Sequence, residues 1–272
     1  MSNVRFKEEE GVLNGSKFVV KIPEEPKCRC AVVGCRGWAY RGRFVEGLHR
    51  HLDPIGNVIA ERGYYWASTD YGAGGYPVKA AINSIRLLIE HLRRKYSIEK
   101  VALLGVSMGG HIALMYAIEY PEDVCCIVDV YGVADPEYQV KYVLKALLAL
   151  PVMLIKIGKP EEVLSALKFL EDIRREFGGL PLLGILSSEL KQFSPIRRAG
   201  ELNVPVLVVH GDKDYVVPLE VSLRFVNKLK SIGKENLVKL VIVKNGGHDE
   251  YTIRKALKEI LDFIEKRFYK NV

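Results

Sequence analysis

Short, almost wholly apolar runs at 31–34, 101–104, 124–130 and 206–209 recur along the chain, and stretches of helical period separate several of them. A strand that is apolar on both faces has to be covered on both faces, which a parallel sheet sandwiched between helices achieves. Between the runs, Ala81, Ile82, Ile85, Leu88, Ile89 and Leu92 mark one face of a helix, and 109–120 reads as a second helix closed by Pro121. Strand alternating with helix predicts an α/β fold with a mostly parallel, doubly wound sheet.

The remaining elements follow from turn signals. Asn14-Gly15 separates 4–7 from 18–22, an opening hairpin with a loose connection ended by Pro23. A helix is expected around 48–61, a strand at 64–68, a helix around 219–232, a strand at 238–243 and a terminal helix at 252–268. Between 136 and 199 there is no convincing strand, only helical segments broken by Gly158-Lys159-Pro160, Gly178-Gly179 and Pro181. So long a stretch is expected to be a helical cap insertion at 135–199, with residues 1–134 and 200–272 forming the core. Its apolar stretches at 144–150, 152–155 and 180–186 are expected to pack as the cap's own core more than to line a pocket.

Composition narrows the class. The 272 residues are 49% hydrophobic and 27% charged, enough for a sizeable core, and 40 basic against 33 acidic side chains leave a modest +7 with no basic tail. Nucleic acid is not an expected partner. The charged start, with Arg5, Lys7, Glu8, Glu9 and Glu10, does not read as a signal peptide, and the longest apolar run, 146–155, is broken by Pro151. A cytoplasmic protein without stable membrane insertion is expected, and a homodimer is left open. Two glutamines, Gln139 and Gln192, among abundant Lys, Glu and Arg hint at a thermophilic source. The five cysteines match no zinc spacing and read as reduced core residues, Cys125 and Cys126 on opposite faces of a strand; a bridge at Cys28 or Cys30 stays open. Neither metal nor cofactor is expected.

The chemistry concentrates at Gly105-Val106-Ser107-Met108-Gly109, a serine between a buried strand and a helix. A sharp strand-to-helix turn leaves no room for side chains two positions either side, and it lifts the hydroxyl to the sheet edge. The amide of Met108, at the helix start, can bind a developing oxyanion. Such a hydroxyl needs a base. Of six histidines, His49, His51 and His91 read as surface, His111 as outward or locally packed, and His210 as satisfying its turn. His248 stands in Asn245-Gly246-Gly247-His248-Asp249, a loop between strand and helix from which a side chain is cheaply presented. Asp214, beyond the strand at 206–209, is the chosen carboxylate to orient it. Asp129 is the rival, Asp212 reads as a turn residue, and Asp249 points the wrong way.

With Ser107, Asp214 and His248 in that order, the chain resembles the α/β-hydrolase superfamily along nearly its whole length. Leu13-Asn14-Gly15, Ser194-Pro195-Ile196, Pro205 before 206–211, and Val217-Pro218 resemble its esterases and prolyl-oligopeptidase-like peptidases. The resemblance implies a second oxyanion donor after the third strand. Arg36 replaces the family's usual histidine there, and the Trp38 amide is the expected donor. Arg36, Arg41 and Arg43 suggest a basic rim that steers anionic esters, although solvated arginines are the commoner outcome. The expected activity is cofactor-independent hydrolysis of a small-molecule ester or acyl substrate through an acyl-enzyme. An aminopeptidase or acylpeptide-type peptidase, a thioesterase, and a ligand-binding protein with a silent triad are the alternatives.

Overall fold

The computed structural model describes residues 6–38, 52–149, 160–179 and 187–269. Eight strands make one sheet: β1 (Phe6–Leu13), β2 (Ser16–Pro23), β3 (Cys30–Cys35), β4 (Tyr65–Thr69), β5 (Lys100–Val106), β6 (Cys126–Val130), β7 (Val206–Gly211) and β8 (Val238–Val243), in the order β1-β2-β4-β3-β5-β6-β7-β8. The β1–β2 and β2–β4 pairs are antiparallel and every other pair is parallel. The chain steps outward from β3 to β4 and then returns past β3 to β5. Such a reversal opens a crevice at the carboxyl ends of the two strands on either side of it.

Helices cover both faces because alternate strand residues are apolar on both. Ala31, Val33 and Leu103 pack beneath α2 (Val78–Tyr96), α3 (Met108–Glu119) and α7 (Leu219–Ser231). Val32, Ala102 and Leu104 pack on the other side beneath α1 (Asp53–Glu61), α8 (Glu250–Lys255) and α9 (Leu257–Phe268). Between β6 and β7 the described residues form helices α4 (Pro136–Leu148), α5 (Pro160–Phe177) and α6 (Ser188–Gln192) with no strand, as the breaker pattern predicts.

Several expectations shift. The opening hairpin is longer and tight, since Asn14 (φ 46°) and Gly15 (φ 82°) make a two-residue turn that keeps the register from Phe6↔Pro23 to Leu13↔Ser16. The terminal helix breaks at Ala256 into two. Cys28 is bonded to Cys30, a correction to the reduced reading. Cys125 and Cys126 both pack against the α9 side, because β6 begins only at Cys126. Leu148 is exposed, whereas Leu144 and Leu147 pack on the core; 152–155 and 180–186 lie outside the described residues. No described helix is long and apolar enough to cross a membrane.

Candidate active site

Ser107 occupies the turn between β5 and α3 with φ 58° and ψ −122°, a conformation L residues rarely adopt. Strain of this kind costs about 1–3 kcal/mol and persists only where its surroundings hold it. They do here. Ser107 donates its amide to Val130 O at 3.0 Å, and its carbonyl accepts from Gly110 N at 2.9 Å. The flanking glycines are sterically required: a Cβ on Gly105 would stand 2.2 Å from Gly109 O, and one on Gly109 would stand 1.9 Å from Cys35 O. Met108 is the first residue of α3, and first-turn amides have no acceptor within their own helix.

The loop after β3 lies against this turn, since a Cβ on Gly37 would be 3.4 Å from Ser107 Cβ and 4.0 Å from its Oγ. Trp38 therefore follows directly on a residue in contact with the serine. Arg36 is buried and donates to the carbonyls of Gly37 (3.2 Å), Asp70 (2.9 Å) and Ala73 (2.9 Å), with its guanidinium over the Tyr71 ring. It fastens two loops together. The basic-rim expectation fails for Arg36, whose charge is buried and spent on carbonyls, and Arg41 and Arg43 lie outside the described residues.

Asp214 and His248 meet although 34 positions separate them: His248 Nδ1 is 2.7 Å from Asp214 Oδ2. The acid's other oxygen accepts from the amides of Val216 and Val217, both at 2.9 Å. Burial pushes the Asp214 carboxyl upward, but hydrogen bonds from His210 and His248 outweigh it and hold the group near a pKa of about 2. An ionised Asp214 fixes the Nδ1–H tautomer of His248 and leaves Nε2 with a lone pair. The imidazole packs on Tyr131 with ring centroids 4.3 Å apart, and Tyr131 immediately follows the residue that accepts from the Ser107 amide. The acid and histidine loops are drawn together because Gly211 and Gly246 touch: a Cβ on Gly211 would sit 2.2 Å from Gly246 O.

The other candidates resolve into structural roles. His210 is fully buried, with Nε2 2.8 Å from Val217 O and Nδ1 2.7 Å from Ser222 Oγ, so it satisfies its turn as expected and braces Asp214. His111 is buried rather than outward, between Tyr76 Oη (3.0 Å) and Phe193 O (2.6 Å), and burial lowers its pKa to about 4. His91 is partly buried against Phe18, not on the surface; His49 and His51 lie outside the described residues. Asp212 accepts from Asn245 N, and Asp249 caps α8 through Thr252 N. Asp129 is fully buried and points to the α3 side, against Gly110 and the Gly132 backbone. Burial raises its pKa to about 7.

Residues 23–229 match the family model described as BD-FAE. The chain belongs to the BD-FAE family. Its fold is that of the α/β-hydrolase superfamily. It is 26% identical over 219 residues to the 2-hydroxy-6-oxononadienedioate/2-hydroxy-6-oxononatrienedioate hydrolase 1 of Pseudomonas putida, covering 71% of this chain and 72% of that one. Among solved structures it resembles Est1E from Butyrivibrio proteoclasticus (TM-score 0.61, 16% identity, 97% of this chain and 99% of that). It also resembles the acylaminoacyl peptidase of Pyrococcus horikoshii (TM-score 0.66, 17% identity, 97% of this chain), of which it spans 42%.

Within this BD-FAE chain, sequence reasoning passed over Tyr131 as the ring beneath His248 and Asp172 as the partner of Trp38. Tyr131-Gly132 directly after a strand is a faint turn signal for the first. Nothing marks Asp172, which lies among the charges of an amphipathic helix.

Proposed function

We propose that the protein is a serine hydrolase that cleaves carboxylic esters of small molecules through an acyl-enzyme. His248 Nε2 takes the Ser107 proton as Oγ attacks the carbonyl, and the oxyanion of the tetrahedral intermediate accepts from the amides of Met108 and Trp38. Collapse expels the alcohol, which takes the proton from the imidazolium. Water, deprotonated by His248, then attacks the acyl carbonyl, and as the C–Oγ bond breaks the imidazolium returns the proton to Ser107 Oγ, releasing the acid. Asp214 keeps the imidazole in the tautomer that can accept a proton and stabilises its charged form. The observation that carries this reading is the 2.7 Å contact between Asp214 and His248 at the sheet edge where Ser107 is held in a strained turn. Family membership supports the hydrolase class.

A second reading, cleavage of an aminoacyl or acylpeptide amide, is favoured by the likeness to the acylaminoacyl peptidase fold over 97% of this chain. Ester turnover is expected to exceed anilide turnover. The decisive comparison is of rates on p-nitrophenyl esters of graded acyl length with rates on an aminoacyl anilide, for the parent and for Ser107→Ala. The variant is expected to lose about 10⁴- to 10⁶-fold in turnover while melting like the parent. Ester hydrolysis that survives the substitution ends the proposal, and a faster anilide hands it to the peptidase reading.

A further inference from the structure

The indole of Trp38 reaches into the inserted segment. Its Nε1–H donates to Asp172 Oδ2 at 2.9 Å, and Asp172, a carboxylate on α5, is only 5% exposed. The other carboxylate oxygen meets Lys168 Nζ at 3.0 Å, and the Phe169 ring meets the indole edge-on with centroids 5.9 Å apart. Helix α5 is seated on the core at further points. A Cβ on Gly75 would be 3.1 Å from Asp172 Cγ, Glu176 Oε1 accepts from Lys79 N at 2.8 Å, and Phe177 stacks on His111 of α3. Asp172 thus touches both the loop after β3 and the loop after β4, the two segments that Arg36 ties together.

An amide that follows a glycine in irregular backbone has soft torsions, and an oxyanion donor works only when its hydrogen is aimed where charge develops. A hydrogen bond to an ionised, buried acceptor is among the stronger side-chain restraints available. We propose that Asp172 is a positioning residue: by holding the Trp38 indole it sets the orientation of the Trp38 amide, so that docking of α5 and completion of the oxyanion site are one event. The inference rests on the serine-hydrolase reading above. Displacing α5 leaves the Ser107 turn intact, because that turn is held by Val130, Gly105 and Gly109, but it releases the second donor.

The test uses Asp172→Ala, Trp38→Phe, their combination, and Asp172→Asn, which keeps an acceptor for the indole. Trp38→Phe changes no residue of α5 and keeps the Asp172–Lys168 ion pair, so it serves if Asp172→Ala folds poorly. On p-nitrophenyl butyrate, Asp172→Ala and Trp38→Phe are each expected to lose about 10- to 100-fold in kcat with KM within about twofold, less than deletion of an oxyanion donor because the amide is loosened rather than removed. The double variant is expected to fall no further than the singles, and Asp172→Asn to retain most of kcat. Tryptophan emission supplies a readout independent of turnover. Trp66, the other tryptophan, is fully buried against Gly34 and Gly56, so a shift in Asp172→Ala that is absent from Asp172→Asn reports the indole of Trp38. An unchanged kcat in either single variant, multiplying losses in the double variant, a raised KM at constant kcat, or an Asp172→Asn as slow as Asp172→Ala overturns the proposal. If Ser107→Ala is inactive while these variants are normal, the positioning role alone fails. If Ser107→Ala stays active, the underlying reading fails first.

Discussion

Two buried aspartates respond to pH in opposite directions. Asp214 is depressed from an ordinary value near 3.8 to about 2, so its contribution to stability is present above about pH 4 and vanishes as the pH falls through about 2. The wild-type advantage over Asp214→Asn in urea denaturation should shrink by on the order of 2 kcal/mol across that window. Asp129 is raised to about 7 by burial and stays protonated in the native state below that value. Above about pH 4 the unfolded chain ionises this group and the folded one does not, so stability drains away until about pH 7 and then levels off. Asp129→Asn, which mimics the neutral carboxyl, is expected to flatten that slope by on the order of a few kcal/mol, read as a smaller drop in melting temperature between pH 5 and pH 8. An unchanged slope contradicts the assignment.

Close backbone approach between turns positions the loops that carry Ser107, Asp214 and His248. Gly109 lies against the loop after β3, and Gly211 lies against Gly246 in the turn after β8. A methyl group at Gly109 meets carbonyl oxygen rather than a flexible side chain, so Gly109→Ala is expected to cost about 3 kcal/mol or more, or to prevent soluble expression. Gly211→Ala pushes the Asp214 and His248 loops apart. It is expected to lower kcat at least about tenfold with the Ser107 turn intact, since misplacement by about 1 Å is enough for such losses. Normal turnover in that variant shows that the two loops are held by something other than this contact. Caps act alongside packing: Asp135 accepts from Tyr138 N at 3.0 Å at the start of α4, and from Arg224 Nε of α7 at 2.8 Å. Asp135→Ala removes the cap and one end of a link between helices, with an expected loss of about 1–3 kcal/mol in chemical denaturation.

Across the molecule, one sheet carries two lines of information that were unequally legible in the sequence. Runs apolar on both faces, such as 101–104 and 206–209, require helices above and below, and Gly105 and Gly109 admit only a sharp turn about Ser107. Those are local constraints, and the parallel sheet, the helices described after β6 and the strained turn at Ser107 could be read from them; turn signals placed Asp214 and His248 in loops, and it is the packed structure that brings those two together. Element ends were less legible, because strand pairing carries β1 and β5 beyond the residues whose own pattern announces them. What escaped the sequence are contacts between residues far apart along the chain: Arg36 spent on the carbonyls of 70 and 73, Tyr131 beneath His248, His210 beside Asp214, and the indole of Trp38 on Asp172. Periodicity and turn chemistry depend on neighbours a few positions away. Whether a charge is solvated, or a ring finds a carboxylate 134 positions distant, depends on which surfaces the packed elements bring face to face.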